Sequence, residues 1–245
     1  MSKKAIDCIL QVRLDSTRLP GKALADICGK PLVSHIIERL KKSKYIRNII
    51  IATTEDSFHP LKNALSGYQY LNYFIGDKDN VLKRYYNASE KYDSEIIIRA
   101  TGDNPLVDPE YLDRAVEMTI DTNADLLHYI GIPLGTGVEV IKRKAMESAY
   151  ENAATQYEKE HVTPYIYGHR DKFIVLEPMT SEFYYVPDLR VTIDTEDDLD
   201  NVREIFEFYK EKSFISMEDI INFFQYKELM LDASPIDFVT NAFFY

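Results

Sequence analysis

Only two cysteines, Cys8 and Cys28, occur in the 245 residues. The chain therefore has neither a disulfide framework nor the four thiolates of a zinc site, and it contains no Cys-x-x-Cys redox pair. Long apolar runs are missing as well. No stretch approaches the roughly 20 residues a membrane helix requires, and the start MSKKAIDCIL shows neither the hydrophobic segment nor the small-residue cleavage site of a secretory signal. A cytoplasmic location, with no membrane partner, is the expectation. Positive charge is in deficit: 29 Lys and Arg stand against 40 Asp and Glu, a formal net charge of −11. That argues against sequence-independent binding of nucleic acid, which depends on a basic surface. What the chain does have is apolar material, 45% of its positions, enough to bury a substantial core near the upper size of a single one. No internal repeat or low-complexity linker interrupts it.

The charge is unevenly spread. Residues 1–47 carry eleven Lys and Arg against four acids, a net of +7, which leaves −18 for the remainder. A basic opening on an acidic chain suggests a local anion site. Lys41, Lys42, Lys44 and Arg47 have the spacing of a solvated helix face. Arg13, Arg18 and Lys22 do not, because they lie in a loop.

Periodicity predicts that loop. Residues 5–12 form a short, mostly apolar run of the kind a buried parallel strand shows, and it ends in the polar, Pro- and Gly-containing stretch 13–21. Pro31 opens a helix with Leu32, Ile36, Ile37 and Leu40 on one face. Strands are predicted at 48–53, 70–75 and 95–100, with helices at 58–65, 80–92 and from Pro109 to about 121. Such alternation implies βαβ units, hence an α/β fold with a mainly parallel sheet covered on both faces. Beyond residue 120 the pattern loosens to strand-like segments at 125–129, 137–141, 173–176 and 189–193, with helices at 143–152, 157–167 and 196–212. Residues 1–212 read as one domain and 213–245 as an aromatic-rich helical tail. Phe223, Phe224, Tyr226, Leu229, Phe238, Phe243, Phe244 and Tyr245 pack either on their own domain or on a second copy, which makes a homodimer the expectation.

The segment from Gln11 to Lys22 directly follows the first strand, where ligands bind in open α/β sheets. It supplies the cations Arg13, Arg18 and Lys22, the hydroxyls of Ser16 and Thr17, and a glycine that permits close backbone approach. Those are the groups a triphosphate needs. It is not a Walker loop, since Ala23 follows Lys22, and no Gly-x-Gly-x-x-Gly follows the strand, so ATPases and dinucleotide dehydrogenases recede. Asp103, after the fourth strand, and Asp194, after the segment 189–193, are acids that would face the same crevice. Hard carboxylate oxygens are how Mg²⁺ is held against substrate phosphates. Asp194 or Thr195 could equally cap the helix beginning near Glu196.

On Arg13, Ser-Thr-Arg-Leu-Pro-Gly-Lys at 16–22, Gly-Lys-Pro at 29–31, Asn-Val-Leu-Lys-Arg-Tyr at 80–85, Thr-Gly-Asp-Asn-Pro-Leu-Val-Asp-Pro at 101–109, Glu-Lys-Glu-His-Val-Thr-Pro-Tyr at 158–165 and Leu-Arg-Val-Thr-Ile-Asp-Thr at 189–195, the sequence resembles a known family. This family is the cytidylyltransferases that make CMP-activated acid sugars, related to CMP-Kdo and CMP-sialate synthetases and closest to the SpsF-like spore coat polysaccharide branch. The resemblance covers about residues 6–210. Leu14, Asp15 and Asn104 depart from the branch's usual pattern, and Asp15 sets a negative charge near the expected phosphates.

The resemblance implies a three-layer α/β/α nucleotidyltransferase fold, GT-A-like and Rossmann-like, with CTP as donor and a small sugar as acceptor. It implies a catalytic set of Arg13, Lys22, Asp103 and Asp194, with Mg²⁺ on the two acids. Nucleotide contacts are expected from Arg13, Ser16, Thr17, Arg18, Lys22, Thr101 and Asp103, and base or ribose contacts from Asp79, Asn80 and Arg84. A helix-capping role for Asp79 or Asn80 competes with the last assignment. Glu139, His161 and Tyr165 are the expected acceptor residues, with a hydrogen-bonded structural role the alternative for His161. A sugar-1-phosphate nucleotidylyltransferase making an NDP-sugar would share the opening loop and the acids. A nucleotide-binding pseudoenzyme is the third reading, which the intact set of cations and acids disfavours.

Overall fold

A computed structural model of the chain describes residues 4–232. The first strand, β1 (Ile6–Gln11), is buried almost throughout because each of its faces meets a different layer. Ile6, Cys8 and Leu10 enter one core and Ile9 the other. After a short hairpin, β2 (Asp26–Ile27) with β3 (Lys30–Pro31), come α1 (Leu32–Leu40), β4 (Asn48–Thr53), α2 (Glu55–Ala64), β5 (Asn72–Ile75), α3 (Val81–Lys91), β6 (Ile96–Thr101) and α4 (Pro109–Thr122). The same alternation recurs: Ile49 and Ile51 face the first core and Ile50 the second, and Ile96 and Ile98 face the first and Ile97 the second. A buried Ile or Leu is stabilised by about 2 kcal/mol relative to water. A one-residue slip would exchange the two faces, so the pattern fixes the register.

The second half adds β7 (Leu126–Leu127), β8 (Glu139–Lys142), α5 (Arg143–Asn152), α6 (Gln156–His161), α7 (Pro164–Gly168), β9 (Val175–Leu176), α8 (Glu196–Phe208) and α9 (Met217–Asp232). Seven strands form one sheet in the order β5-β4-β1-β6-β8-β7-β9. β1 lies parallel to β4 and β6, and β4 to β5, while β8 runs antiparallel to β6 and β7. Helices α1, α2, α4, α8 and α9 cover one face, and α3, α5 and α7 the other, giving the expected three layers. Ile215, Ile220 and Phe223 of the aromatic tail enter the main core, whereas Tyr226 and Leu229 are exposed. Phe238, Phe243, Phe244 and Tyr245 lie outside the described residues. No described helix is long and apolar enough to cross a membrane.

Two expectations are corrected. The helix over 157–167 is two helices, separated where Val162 adopts φ 74, because Pro164 lacks the N–H to continue the ladder and starts α7 instead. Residues 189–193 are not a sheet strand. They run beside Leu134 through a single parallel bridge, with Leu134 N–H donating to Leu189 O at 2.7 Å and Val191 N–H to Leu134 O at 2.8 Å.

Candidate active site

β1 and β6 are adjacent and parallel, so the loops leaving their carboxyl ends open side by side. Their approach is close: Gly102 N–H donates to Gln11 O at 2.8 Å, and a Cβ at Gly102 would lie 3.0 Å from that oxygen and 3.1 Å from a Val12 methyl. Only glycine lets the two loops meet without displacing β1. The β1 loop ends in a 3₁₀ turn, residues 22–24, whose Ala23 is buried in the core, so the backbone of Lys22 is anchored. The Lys22 ammonium, on a side chain 11% exposed, donates to Ile193 O at 2.6 Å, Asp194 Oδ1 at 3.1 Å and Asp103 Oδ2 at 3.3 Å. Thr101 Oγ1 donates to Asp103 Oδ1 at 2.5 Å, and Ile193 N–H donates to Asp103 O at 2.9 Å.

Asp194 is also paired with Arg18 at 2.8 Å and with Arg190 at 2.6 Å. Burial works to raise its pKa, but the hydrogen bonds from Lys22 and Arg190 and the charge of Arg18 hold the carboxyl below the usual carboxylate range. The cap of α8 is made elsewhere. Thr195 and Asp198 form a reciprocal capping box, which leaves both Asp194 oxygens to the cations. Arg13, Ser16, Arg18, Lys22, Thr101, Asp103 and Asp194 thus line one crevice of about 250 Å³.

Residues 8–234 match the cytidylyltransferase family. The chain belongs to that family. The cytidylyltransferase is 32% identical over 219 residues to the spore coat polysaccharide biosynthesis protein SpsF of Bacillus subtilis, covering 87% of this chain and 91% of that one. A 3-deoxy-manno-octulosonate cytidylyltransferase of Geobacter sulfurreducens is 33% identical over 111 residues, 45% of this chain and 44% of the relative. Among solved structures, a cytidylyltransferase from Leptospira borgpetersenii serovar Hardjo-bovis superimposes with a TM-score of 0.82 at 25% identity, covering 94% of this chain and 98% of that one. This chain is accordingly a CTP-dependent nucleotidyltransferase on a three-layer α/β fold.

Other expected nucleotide residues of the cytidylyltransferase sit apart from the crevice. Thr17 and Asp79 are exposed and do not line it. Asn80 caps α3, its Oδ1 accepting from Lys83 N–H at 2.9 Å. Arg84 is fully buried beneath the 76–80 turn, where it donates to Asp77 O at 2.6 Å, and burial lowers its pKa. Asn80→Ala should therefore cost about 1 kcal/mol of stability in a denaturant titration, the usual loss of a helix cap. An unchanged midpoint would show that the cap is not used. The unusual Asp15 is accounted for by Lys78 at 2.7 Å and Arg13 at 3.6 Å. The Lys78 hydrogen bond chiefly holds the Asp15 carboxyl below its ordinary range, so its charge is spent tying the β1 loop to the 76–80 turn.

The three expected acceptor residues are not brought together. Glu139 lines a second cavity of about 360 Å³, His161 lines the crevice of Asp103 and Asp194, and Tyr165 is 6% exposed in the second core, its ring stacked on His169 at 4.1 Å. Tyr165 alternates inward from α7 and so belongs to packing. Glu139 is held by Arg99 Nη1 at 2.7 Å, Thr163 Oγ1 at 3.1 Å and Tyr167 Oη at 3.0 Å, while His128 Nδ1 meets the same phenol at 2.8 Å. Burial, followed by the Glu139 charge, pushes the Tyr167 phenol far up.

Arg99 is the residue that sequence reasoning missed. It stands opposite Glu139 in the β6–β8 register, its Nε is buried without a protein partner, and with Thr101 it borders both cavities. The available signal was a cation ending the apolar run Ile96-Ile97-Ile98 just before Thr101 and Asp103.

As to a metal, no group of three or more His, Cys, Asp or Glu gathers as a cage among the described residues. Two carboxylates on one cationic head are instead the donor set that suits an ion sharing its coordination with substrate phosphates. Asp103 and Asp194 fit Mg²⁺ in that sense.

Proposed function

We propose that this cytidylyltransferase transfers CMP from CTP to an acid-sugar acceptor, releasing pyrophosphate, in the synthesis of a surface polysaccharide or glycoconjugate. The observation that carries the reading is the junction of two cavities: a cationic crevice ending in Asp103 and Asp194, and beside it a second cavity, with Arg99 and Thr101 common to both. The octulosonate cytidylyltransferase relative supports the acid-sugar acceptor, and the spore coat relative supports the polysaccharide setting.

In this reading Arg13, Arg18 and Lys22 neutralise the triphosphate and Ser16 offers it a hydroxyl. Arg99 stands where an acceptor must pass to reach the α-phosphorus and is the cation there for a carboxylate. Glu139, held by three donors, keeps the Arg99 guanidinium in place. The acceptor oxygen forms its bond to the α-phosphorus as the bond to the β-phosphate breaks, so catalysis consists mainly of positioning and charge neutralisation. Asp103 and Asp194 would hold Mg²⁺, which when bound supplies counter-charge to the phosphate oxygens.

The test is pyrophosphate release across the nucleoside triphosphates, each paired with acid sugars, neutral sugars and sugar 1-phosphates. Release is expected with CTP and a carboxylate-bearing sugar. Release confined to sugar 1-phosphates, or equal with UTP and dTTP, would replace this reading by NDP-sugar synthesis.

A further inference from the structure

We propose that Lys22 is a built-in stand-in for the metal. Its ammonium holds Asp103 and Asp194 together in the free enzyme and keeps a divalent cation out until a nucleoside triphosphate draws that ammonium onto its phosphates. The inference rests on the reading of Asp103 and Asp194 as the metal acids and adds an order of events to it.

Four observations carry it. The Lys22 head uses all three of its donors inside the protein, on Ile193 O, Asp194 Oδ1 and Asp103 Oδ2. Its side chain is largely closed to water, and its backbone is pinned by the buried Ala23 beside it. Among the described residues it is the one cation that touches both acids; Arg18 and Arg190 reach Asp194 but not Asp103, and Arg18 is 65% exposed. Finally, Asp194 also faces Arg18 and Arg190, the latter shared with Asp198, so its carboxylate is met by cations on several sides before any metal arrives.

The electrostatic consequence is direct. Two carboxylates sharing a site repel unless a cation lies between them, and in the free enzyme that cation is Lys22. A divalent ion arriving alone would have to break all three hydrogen bonds of the ammonium and expel it toward Arg18 and Arg190, which already face Asp194. A triphosphate changes the balance, because its phosphate oxygens take Lys22 and the arginines and thereby free the acids for the metal. Metal entry is then coupled to nucleotide arrival, and neither the acids nor the ammonium is left unpaired at any stage.

The full-length protein is titrated with Mn²⁺, the free ion being read by electron paramagnetic resonance, without nucleotide. Lys22→Met and the more polar Lys22→Gln should bind Mn²⁺ at least about tenfold more tightly than the wild type, a coupling of ordinary size for linked sites. The gain should vanish when Asp194→Asn is added. Mg²⁺ alone should also raise the melting temperature of Lys22→Met, whose two acids have lost the one cation they share, and leave that of the wild type unchanged. Wild-type affinity equal to that of both Lys22 variants overturns the stand-in role. The underlying metal assignment is judged separately, by Mn²⁺ bound in the wild-type complex with CTP: if Asp103→Asn retains it, that assignment itself fails.

Discussion

Asp103→Asn and Asp194→Asn should each lower kcat by at least about a hundredfold, the scale on which loss of a group facing developing charge is felt. Stability should change far less. Asn keeps the size of the side chain, and the helix cap that Asp194 was free to provide is made by Thr195 and Asp198 instead, so α8 keeps its start. Lys22 retains Ile193 O and one acid in either single variant. On the proposed reading, in which both acids serve one ion, the double variant should be little worse than the worse single, as for residues that act as a unit. The measurements are kcat for the three variants with melting curves beside them. Near-normal turnover in either single variant, or two losses that multiply in the double, removes the shared-metal assignment and leaves the fold untouched.

Gly135→Ala, a change of one methyl group outside the crevice of Asp103 and Asp194, should damage both stability and turnover. Gly135 has φ +106, and a Cβ there would lie 2.6 Å from Thr192 N, 2.9 Å from Val191 C and 3.0 Å from Thr192 Cα. All three are backbone atoms, which cannot swing aside. Relief requires residues 189–193 to back away from Leu134, breaking the two bonds that pin them there. The same segment supplies Ile193 O to Lys22 and Ile193 N–H to Asp103, so the acids lose their register with the β1 loop. The cost should be about 3 kcal/mol, combining backbone strain and a displaced segment, or roughly a 10 °C fall in melting temperature for a chain of this size. Turnover should fall with it. Gly67→Ala, where nothing lies within 4 Å and φ is not left-handed, is the control and should melt with the wild type. A Gly135→Ala protein that also melts with the wild type would show that 189–193 is not held by this contact.

The parallel half of the sheet was legible in the chain because each central strand is flanked by covered faces, which fills 49–52 and 96–98 with apolar residues and 6–10 likewise except at Asp7, whose buried carboxylate is held by Arg47, Asn48 and Ser94. The cationic loop after β1 was legible for a related reason. Arg13, Ser16, Arg18 and Lys22 fall in a polar, Pro- and Gly-containing stretch, and their place directly after a buried strand leaves them at its carboxyl end. Asp103 was readable on the same grounds, two residues beyond β6.

Tertiary structure alone decided the rest. Residues 189–193 have a strand's composition, but extended backbone becomes sheet only where a neighbour offers a ladder, and here Leu134 offers one bridge. Asp194 versus Thr195 as the α8 cap was open because both side chains can accept a backbone N–H; the pull of Lys22, Arg18 and Arg190 on Asp194 settles it for Thr195. His161 and Tyr165, one helical turn apart in sequence, part company because the chain reverses its φ at Val162, sending one to the crevice and the other to the core. Arg99 was given no role at the head of the segment that carries Asp103, since what distinguishes it is Glu139, forty residues away and brought opposite only by the antiparallel pairing of β6 with β8. Local pattern reports burial and chain direction, but the partner of a charge is a property of the fold.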